Sequence, residues 1–563
     1  MESKIANVID ELYSIRTEVK ISRPNVKFGD YSTNIALLLS KQIGKKPVEI
    51  AEDIITKLRQ DNSFLEVNLA GPGFINICVS ARSLADLLQE KWSLSFGENN
   101  DGEGKKVVVE YPSQNMAKPY SIGHLRPGNQ GWAVKCLMEA TGWNVITDNH
   151  LGDYGAPFGM WVVGFLNFSN DESLDNDGVY ELGRIYIKIK KELKLEKETG
   201  KTILADQVQD WLLKLEANDS EAIYYSRKFN KISLDHIHTI MARLNIHTDY
   251  ELGEAFFAPK GKQAVQKLLA QGIAQKNDDG SVIVKLDEYG FDVPILIQKA
   301  NGAALYATTD LATILYREDT WKPDRVIYAV GSEQQYYFMQ LFALANKIGV
   351  QTELIHVWFG VIDQINEDGT RSKMSSRKGV VLMEDLLNTA EDRARQVTKG
   401  RNVSDEDIKK IALGAIKFSD FVADRRTDIL FDWDSIFALS GFSGPYIQYA
   451  AVRVNKILSD NINHNTDYIN DGYDYESEKS VLINLLDYPG VVRLAARDLE
   501  PHKIASYLYN LAKEMNRYYE QTPIATGDIS NLQKTARLDL LTKVSHVFRH
   551  GLNLLGIEVP SQM

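Results

Sequence analysis

Val107-Val108-Val109-Glu110-Tyr111 opens the stretch that decides the fold. A loop bounded by Pro112 and Pro119 follows, then a helical pattern from about 122 to 141 stopped by Gly142, then a second strand-like run from 144 to 148. Strand, loop, helix and strand in one short segment form the parallel βαβ unit of a doubly wound sheet, whose crossover is right-handed. Residues 325–330 and 356–362 supply further strand candidates, with a helical stretch at 337–348 between them. Residues 165–260 are charged and helical by pattern and read as an insertion into this sheet domain.

Working outward, the first 96 residues read as a small α/β domain. Pro47 stands at a helix entry, with Ile50, Ile54, Ile55 and Leu58 on one stripe. A strand at 74–79 follows Gly71-Pro72-Gly73, and a polar run at 97–106 reads as a linker. From 386 onward strand signals nearly vanish. Ile504, Leu508, Leu511, Met515 and Tyr518 step at helical spacing, as do Leu538, Leu541, Val544, Phe548, Leu552 and Leu555. An Asn- and Asp-rich segment at 460–478 reads as a surface loop. The expected architecture is α/β: a Rossmann-type parallel-sheet domain at 104–385 with the helical insertion, an N-terminal α/β domain at 1–96, and an all-α bundle at 386–563.

At 563 residues the chain is too long for one core. Its 64 basic against 76 acidic side chains argue against indiscriminate nucleic-acid binding but allow a local basic face. Two cysteines, Cys78 and Cys136, rule out a disulfide framework and a cysteine-built zinc site. The opening Met1-Glu2-Ser3-Lys4 is charged at once, and no run of apolar residues is long enough to cross a membrane, so a cytoplasmic location is expected. His236 and His238, two apart, read as surface residues.

Chemistry gathers in two segments. The first, Ser113-Gln114-Asn115-Met116-Ala117-Lys118-Pro119-Tyr120-Ser121-Ile122-Gly123-His124, ends at a helix entrance. Unpaired N–H groups there attract anions, glycine permits close approach to a flat ring, and histidine can donate to a phosphate oxygen. By itself this is an ordinary helix start. The second, Ser372-Lys373-Met374-Ser375-Ser376-Arg377-Lys378-Gly379, interleaves cations with hydroxyls in a loop able to wrap a polyphosphate, or is simply an exposed basic loop.

Together the two segments resemble the paired signatures of class I aminoacyl-tRNA synthetases. The resemblance narrows to arginyl-tRNA synthetases through Asn115-Met116-Ala117-Lys118-Pro119, Asn149-His150-Leu151-Gly152-Asp153-Tyr154-Gly155, Leu305-Tyr306-Ala307-Thr308-Thr309-Asp310-Leu311-Ala312 and Gly441-Phe442-Ser443-Gly444-Pro445-Tyr446-Ile447-Gln448-Tyr449-Ala450. Lys27-Phe28-Gly29-Asp30-Tyr31-Ser32-Thr33-Asn34 resembles the family's N-terminal domain. Two departures stand out. Ser121 replaces the histidine that usually begins the first signature, and Ser376 replaces the fourth-position lysine of the second; Lys118 or Lys378 could supply the missing cation.

The resemblance implies arginine activation by ATP, with Mg2+ carried on the nucleotide and no zinc, then transfer to the terminal ribose of tRNA(Arg). It implies Ser121, Gly123, His124, Lys373 and Ser375 on ATP, with Lys378 and Lys118 as further catalytic cations. For L-arginine it implies Glu110 and Asp310 on the guanidinium, Tyr306 as a wall or hydrogen-bond partner, and Asn115, Gln334 and Ser113 at the α-amino and carboxylate end. Asp310 read alone is a helix N-terminal carboxylate. Candidate tRNA contacts are Phe28, Tyr31 and Asn34 in the first domain and Tyr446, Tyr449 and Arg453 in the bundle, where core packing is the plainer reading for each tyrosine. A monomer is expected. Competing readings are another class I ligase, such as a cysteine-specific one, and a non-catalytic tRNA-binding paralogue.

Overall fold

The computed structural model describes every residue except 62, 117, 155, 366–368, 375–380, 463–471 and 474–475, and also leaves aside the side chains of 26, 156 and 216. The chain divides into two compact units. One comprises 1–96, 453–488 and 510–547; the other comprises 97–452, 489–509 and 548–563, so the stretch from 386 onward contributes to both.

The larger unit is organised by a parallel sheet in the order Glu353–His356, Arg325–Tyr328, Lys106–Glu110, Asn144–Asp148. Val107, Val108 and Val109 are all fully buried, so this central strand is covered on both faces and reads as an unbroken apolar run. The helix Leu125–Ala140 makes the first crossover. Register places Glu110 opposite both Asp148 and Tyr328, so three polar side chains meet where the strands end. Helices run from Ala156–Phe168 to Ser220–Arg243, overlapping the 165–260 stretch read from sequence as an insertion.

Two expectations need correction. Residues 356–362 are not one strand: the parallel sheet takes Glu353–His356, whereas Ile362–Ile365 pairs with Arg371–Lys373 and Ile429–Leu430 in a separate sheet. The chain breaks between them at Gly360, where a Cβ would lie 2.4 Å from Asp428 Oδ1, a contact only glycine allows. The sequence reading also assigns no strands to the antiparallel sheet of Gln275–Lys276, Val282–Leu286 and Phe291–Gln298. Val282, Val284 and Leu286 are its inward residues, a period-two pattern.

In the smaller unit, strands Tyr31–Thr33, Phe74–Val79 and Phe64–Ala70 form an antiparallel sheet in that order. The helix Pro47–Leu58 buries Ile50, Ile54, Ile55 and Leu58, the stripe expected from sequence. The expected loop at 460–478 lies mostly outside the described residues. Elsewhere in this unit Arg537 and Glu478, both fully buried, form an ion pair at 2.7 Å. Leaving one charge of such a pair alone costs about 3–5 kcal/mol. Arg537→Met should therefore lower the urea unfolding midpoint clearly; an unchanged midpoint would show the pair to be dispensable.

Candidate active site

The carboxyl ends of the parallel strands open onto a cavity of about 1050 Å³, the position where open α/β sheets bind ligands. Its lining joins segments that are remote in the chain: the first βα loop, the start of the Tyr306–Tyr316 helix, and Ser372, Lys373 and Met374.

One group of lining residues is acidic. Glu110 ends its strand with a 2.7 Å ion pair to Nη1 of Arg317, and Nη2 of Arg317 donates to Asp148 at 2.7 Å. Arg317 is fully buried; burial works against its charge, but Glu110 and Asp148 outweigh it and raise its pKa. The carboxylate assigned from sequence to a ligand's guanidinium is thus already engaged by an internal one. Its Oε1 faces the Ser113 hydroxyl at 3.4 Å. Ser113 has a left-handed φ of 54°, held by its N–H donating to Asn149 Oδ1 at 3.0 Å.

Asp310 lies one turn into its helix, which begins at Tyr306. This removes the helix-terminus reading, because its oxygens are turned to other groups: Oδ2 accepts from Tyr337 at 2.5 Å and Oδ1 faces His150 Nε2 at 3.5 Å. Burial disfavours a charge on His150, but the Asp310 and Glu110 carboxylates overcome it and raise its pKa to about 9. Its Nδ1–H is directed at the Leu252 carbonyl, 3.1 Å away.

Sequence reasoning missed Glu254 and gave His150 no role. Glu254 starts the Glu254–Ala270 helix and lines the cavity, 8% exposed. The chain before it runs along the second strand, with Asp148 bridged to Tyr250 and the Glu254 N–H donating to Leu151. Burial, reinforced by Asp310 and Asp153 against the pull of His150, raises its carboxyl to about 8. An acid at a helix start carries no sequence signal beyond an ordinary N-terminal carboxylate.

The other expected ligand-binding residues, Asn115, Tyr306 and Gln334, also line the cavity. Tyr306 is 67% exposed at its mouth. Asn115 forms a bridge with Gly152, where a Cβ would sit 2.7 Å from Asn115 Oδ1.

A second group of lining residues is Ser121, Gly123, His124 and Lys373. The Ser121 N–H donates to His124 Nδ1 at 3.2 Å, which puts the ring proton on Nε2, free in principle to donate outward. Burial lowers the pKa of His124 to about 4, so its ring is neutral at pH 7. Backbone bonds join this segment to the chain just past the second signature: Ile122 N–H to Val381 O at 3.0 Å and Met383 N–H to Tyr120 O at 2.8 Å. Ser375 and Lys378 lie outside the described residues. Lys118 is not among the lining residues; its Nζ lies 5.3 Å from the ring centroid of Tyr186.

His236 corrects the surface reading: its Nε2 accepts the Tyr120 N–H at 3.1 Å, while His238 is exposed and pairs with Glu251. Of the other aromatic candidates, Phe28 is 54% exposed, whereas Tyr31 is buried beneath Arg23. Asn34 is exposed at a helix start. Tyr446 packs against Tyr509, Tyr449 is partly covered by Arg401, and Arg453 covers Tyr519.

Three family models match the chain: tRNA synthetases class I (R), catalytic domain, over 84–433; the DALR anticodon binding domain over 447–563; and the arginyl tRNA synthetase N terminal domain over 1–79. An arginine–tRNA ligase of Fusobacterium nucleatum is 33% identical over 553 residues, 96% of this chain and 94% of its own. One from Lactobacillus delbrueckii is 34% identical over 97% of this chain and 96% of its own. The arginyl-tRNA synthetase structure from Thermus thermophilus aligns with a TM-score of 0.81 at 22% identity, over 100% of this chain and 99% of that one, a likeness of fold.

The raised carboxyl of Glu254 gives the cavity a pH dependence. Below about 8 it holds its proton, and above that it offers a second carboxylate to a cation. Binding of a guanidinium ligand should tighten as pH rises through 8 and release a proton at pH 7, read by calorimetry in buffers of different ionisation enthalpy. Glu254→Gln should abolish the release; release of equal size from that variant would assign it elsewhere.

Proposed function

The chain belongs to the arginyl-tRNA synthetase family, and on that premise we propose how its cavity performs arginine–tRNA ligation. The activity has two steps. The carboxylate of arginine attacks the α-phosphorus of ATP, forming the C–O–P bond of the adenylate as the bond to pyrophosphate breaks. A hydroxyl of the terminal ribose of tRNA then attacks the acyl carbon, and AMP leaves. Charge builds on phosphoryl oxygens in the first step, so positioning and preorganised donors do most of the catalysis.

In this reading Asp310 and Glu254 receive the guanidinium. Both line the cavity, and the planar fork of the substrate suits paired carboxylates where an ammonium needs only one. Tyr337 and His150 hold Asp310 in place. Glu110, with Oε2 committed to Arg317, is reassigned to the α-ammonium together with Ser113; Asn115 and Gln334 orient the carboxylate, and Tyr306 closes the mouth. Gly123 takes the adenine, Ser121 and the Nε2–H of His124 take phosphate oxygens, and Lys373 meets the leaving pyrophosphate, joined by Ser375 and Lys378. Lys118, beside Tyr186, is the weaker candidate for the cation that the second signature lacks.

The observation that carries this reading is one cavity lined both by carboxylates and by the two signature segments. ATP enters as a substrate with Mg2+ on its phosphates; the reading includes no zinc site. We assign 104–385 to catalysis, 386–563 to the anticodon, with Tyr446, Tyr449 and Arg453 as candidates, and 1–96 to the tRNA elbow through Phe28, Tyr31 and Asn34. The partner tRNA is tRNA(Arg). A cytoplasmic monomer fits the charged composition and the lack of any long heptad run; no helix among the described residues is long and apolar enough to cross a membrane.

Lys373→Ala should slow adenylate formation roughly 10- to 100-fold, the worth of one charge-assisted hydrogen bond, in single-turnover assays with tRNA present. An unchanged rate rejects the role. Asp310→Ala should raise the KM for arginine by about one to two orders of magnitude while leaving that for ATP near normal; a normal arginine KM removes Asp310 from the pocket.

A further inference from the structure

The first signature segment is gripped from outside the sheet. Both polar groups of the Tyr120 backbone are claimed by other elements: its N–H by Nε2 of His236 at 3.1 Å, its C=O by the Met383 N–H at 2.8 Å. His236 belongs to the insertion helix Ser220–Arg243, and Met383 begins the helix that follows the second signature. A third element meets them. The Tyr180 ring, from the helix Val179–Glu198, lies edge-on to His236 with centroids 5.7 Å apart, and its hydroxyl donates to Glu384, next to Met383. The same helix approaches the loop at Gly183, where a Cβ would be 3.1 Å from Cδ of Pro119.

We propose that His236 is a positioning residue for the nucleotide. Its neutral imidazole, protonated at Nδ1, accepts the Tyr120 N–H and holds the segment that presents Ser121, Gly123 and His124, so that the helical insertion sets the geometry of the ATP site. The inference rests on the assignment of ATP to that segment under Proposed function. It matters more here because Ser121 brings no charge to the phosphates, leaving binding to correctly placed neutral donors. The groups facing the imidazole are the Tyr120 backbone, the Tyr180 phenol and the Glu384 carboxylate. Burial lowers the pKa of His236, against the opposing pull of Glu384, so the acceptor form prevails at neutral pH. Below the ordinary value of 6.5 protonation converts Nε2 into a donor facing a donor and releases the loop.

The test compares wild type, His236→Leu and His236→Gln in arginylation of tRNA, with separate KM values for ATP and arginine across pH. His236→Leu should raise the ATP KM roughly three- to tenfold, the loss of one hydrogen bond, with the arginine KM within about twofold. His236→Gln, whose amide oxygen can accept the same N–H, should keep a near-normal ATP KM at neutral pH and lose the acid-side rise that wild type shows. A leucine variant with an unchanged ATP KM, or a glutamine variant with the wild-type acid-side rise, overturns the positioning role while tRNA charging by wild type leaves the functional reading intact. A wild type that charges no tRNA with arginine overturns both.

Discussion

Two carboxylates end adjacent strands side by side, and neither can be left alone there. Glu110 and Asp148 are register partners, both buried, so their charges would repel in a medium that solvates them poorly. Arg317 resolves the conflict by pairing with both, donating to Asp148 and forming an ion pair with Glu110, from the far end of the Tyr306–Tyr316 segment. Because the guanidinium is a rigid fork, it fixes direction as well as charge. The helix that supplies Tyr306 and Asp310 is thereby tied to the strands that supply Glu110, and the position of the cavity wall follows from that junction.

With Arg317 taking Asp148 and one oxygen of Glu110, Asp310 is the carboxylate beside Glu254, which adds a second charge only when it gives up its proton, and His150 partly offsets them. Such a site favours a ligand that is always charged and planar. A group that could lose its proton on burial would gain less, and a point charge would satisfy one carboxylate only. On the proposed assignment, selectivity for arginine over lysine would come from geometry and charge count together. In the proposed mechanism the neutral donors of the Ser121–His124 segment serve a different demand, the charge that develops on phosphoryl oxygens.

The sheet and the loop that lines the cavity after its first strand were legible in sequence because a fully buried parallel strand is an apolar run and the helix entrance after it is marked by glycine and histidine. The stripe at 50, 54, 55 and 58 was legible for the same reason, periodicity. The break at Gly360 was not, since it depends on Asp428 from a remote segment. Glu254, His150 and Arg317 escaped a functional reading because an acid at a helix start, a histidine in a loop and an arginine after a helix have ordinary local explanations. Only the fold shows that the first two line the cavity and the third fills the gap between two carboxylates. His236 was misread as a surface residue because helical spacing places its side chain but says nothing of the loop that comes to meet it.

A crystal structure with a non-hydrolysable arginyl-adenylate analogue would test the central claim most directly, because that one molecule must touch both groups of lining residues. The account places its guanidinium between Asp310 and Glu254, its α-ammonium at Glu110 with the Arg317 pair intact, and its adenylate against Gly123 and His124. A guanidinium seated on Glu110 with Arg317 displaced would contradict it.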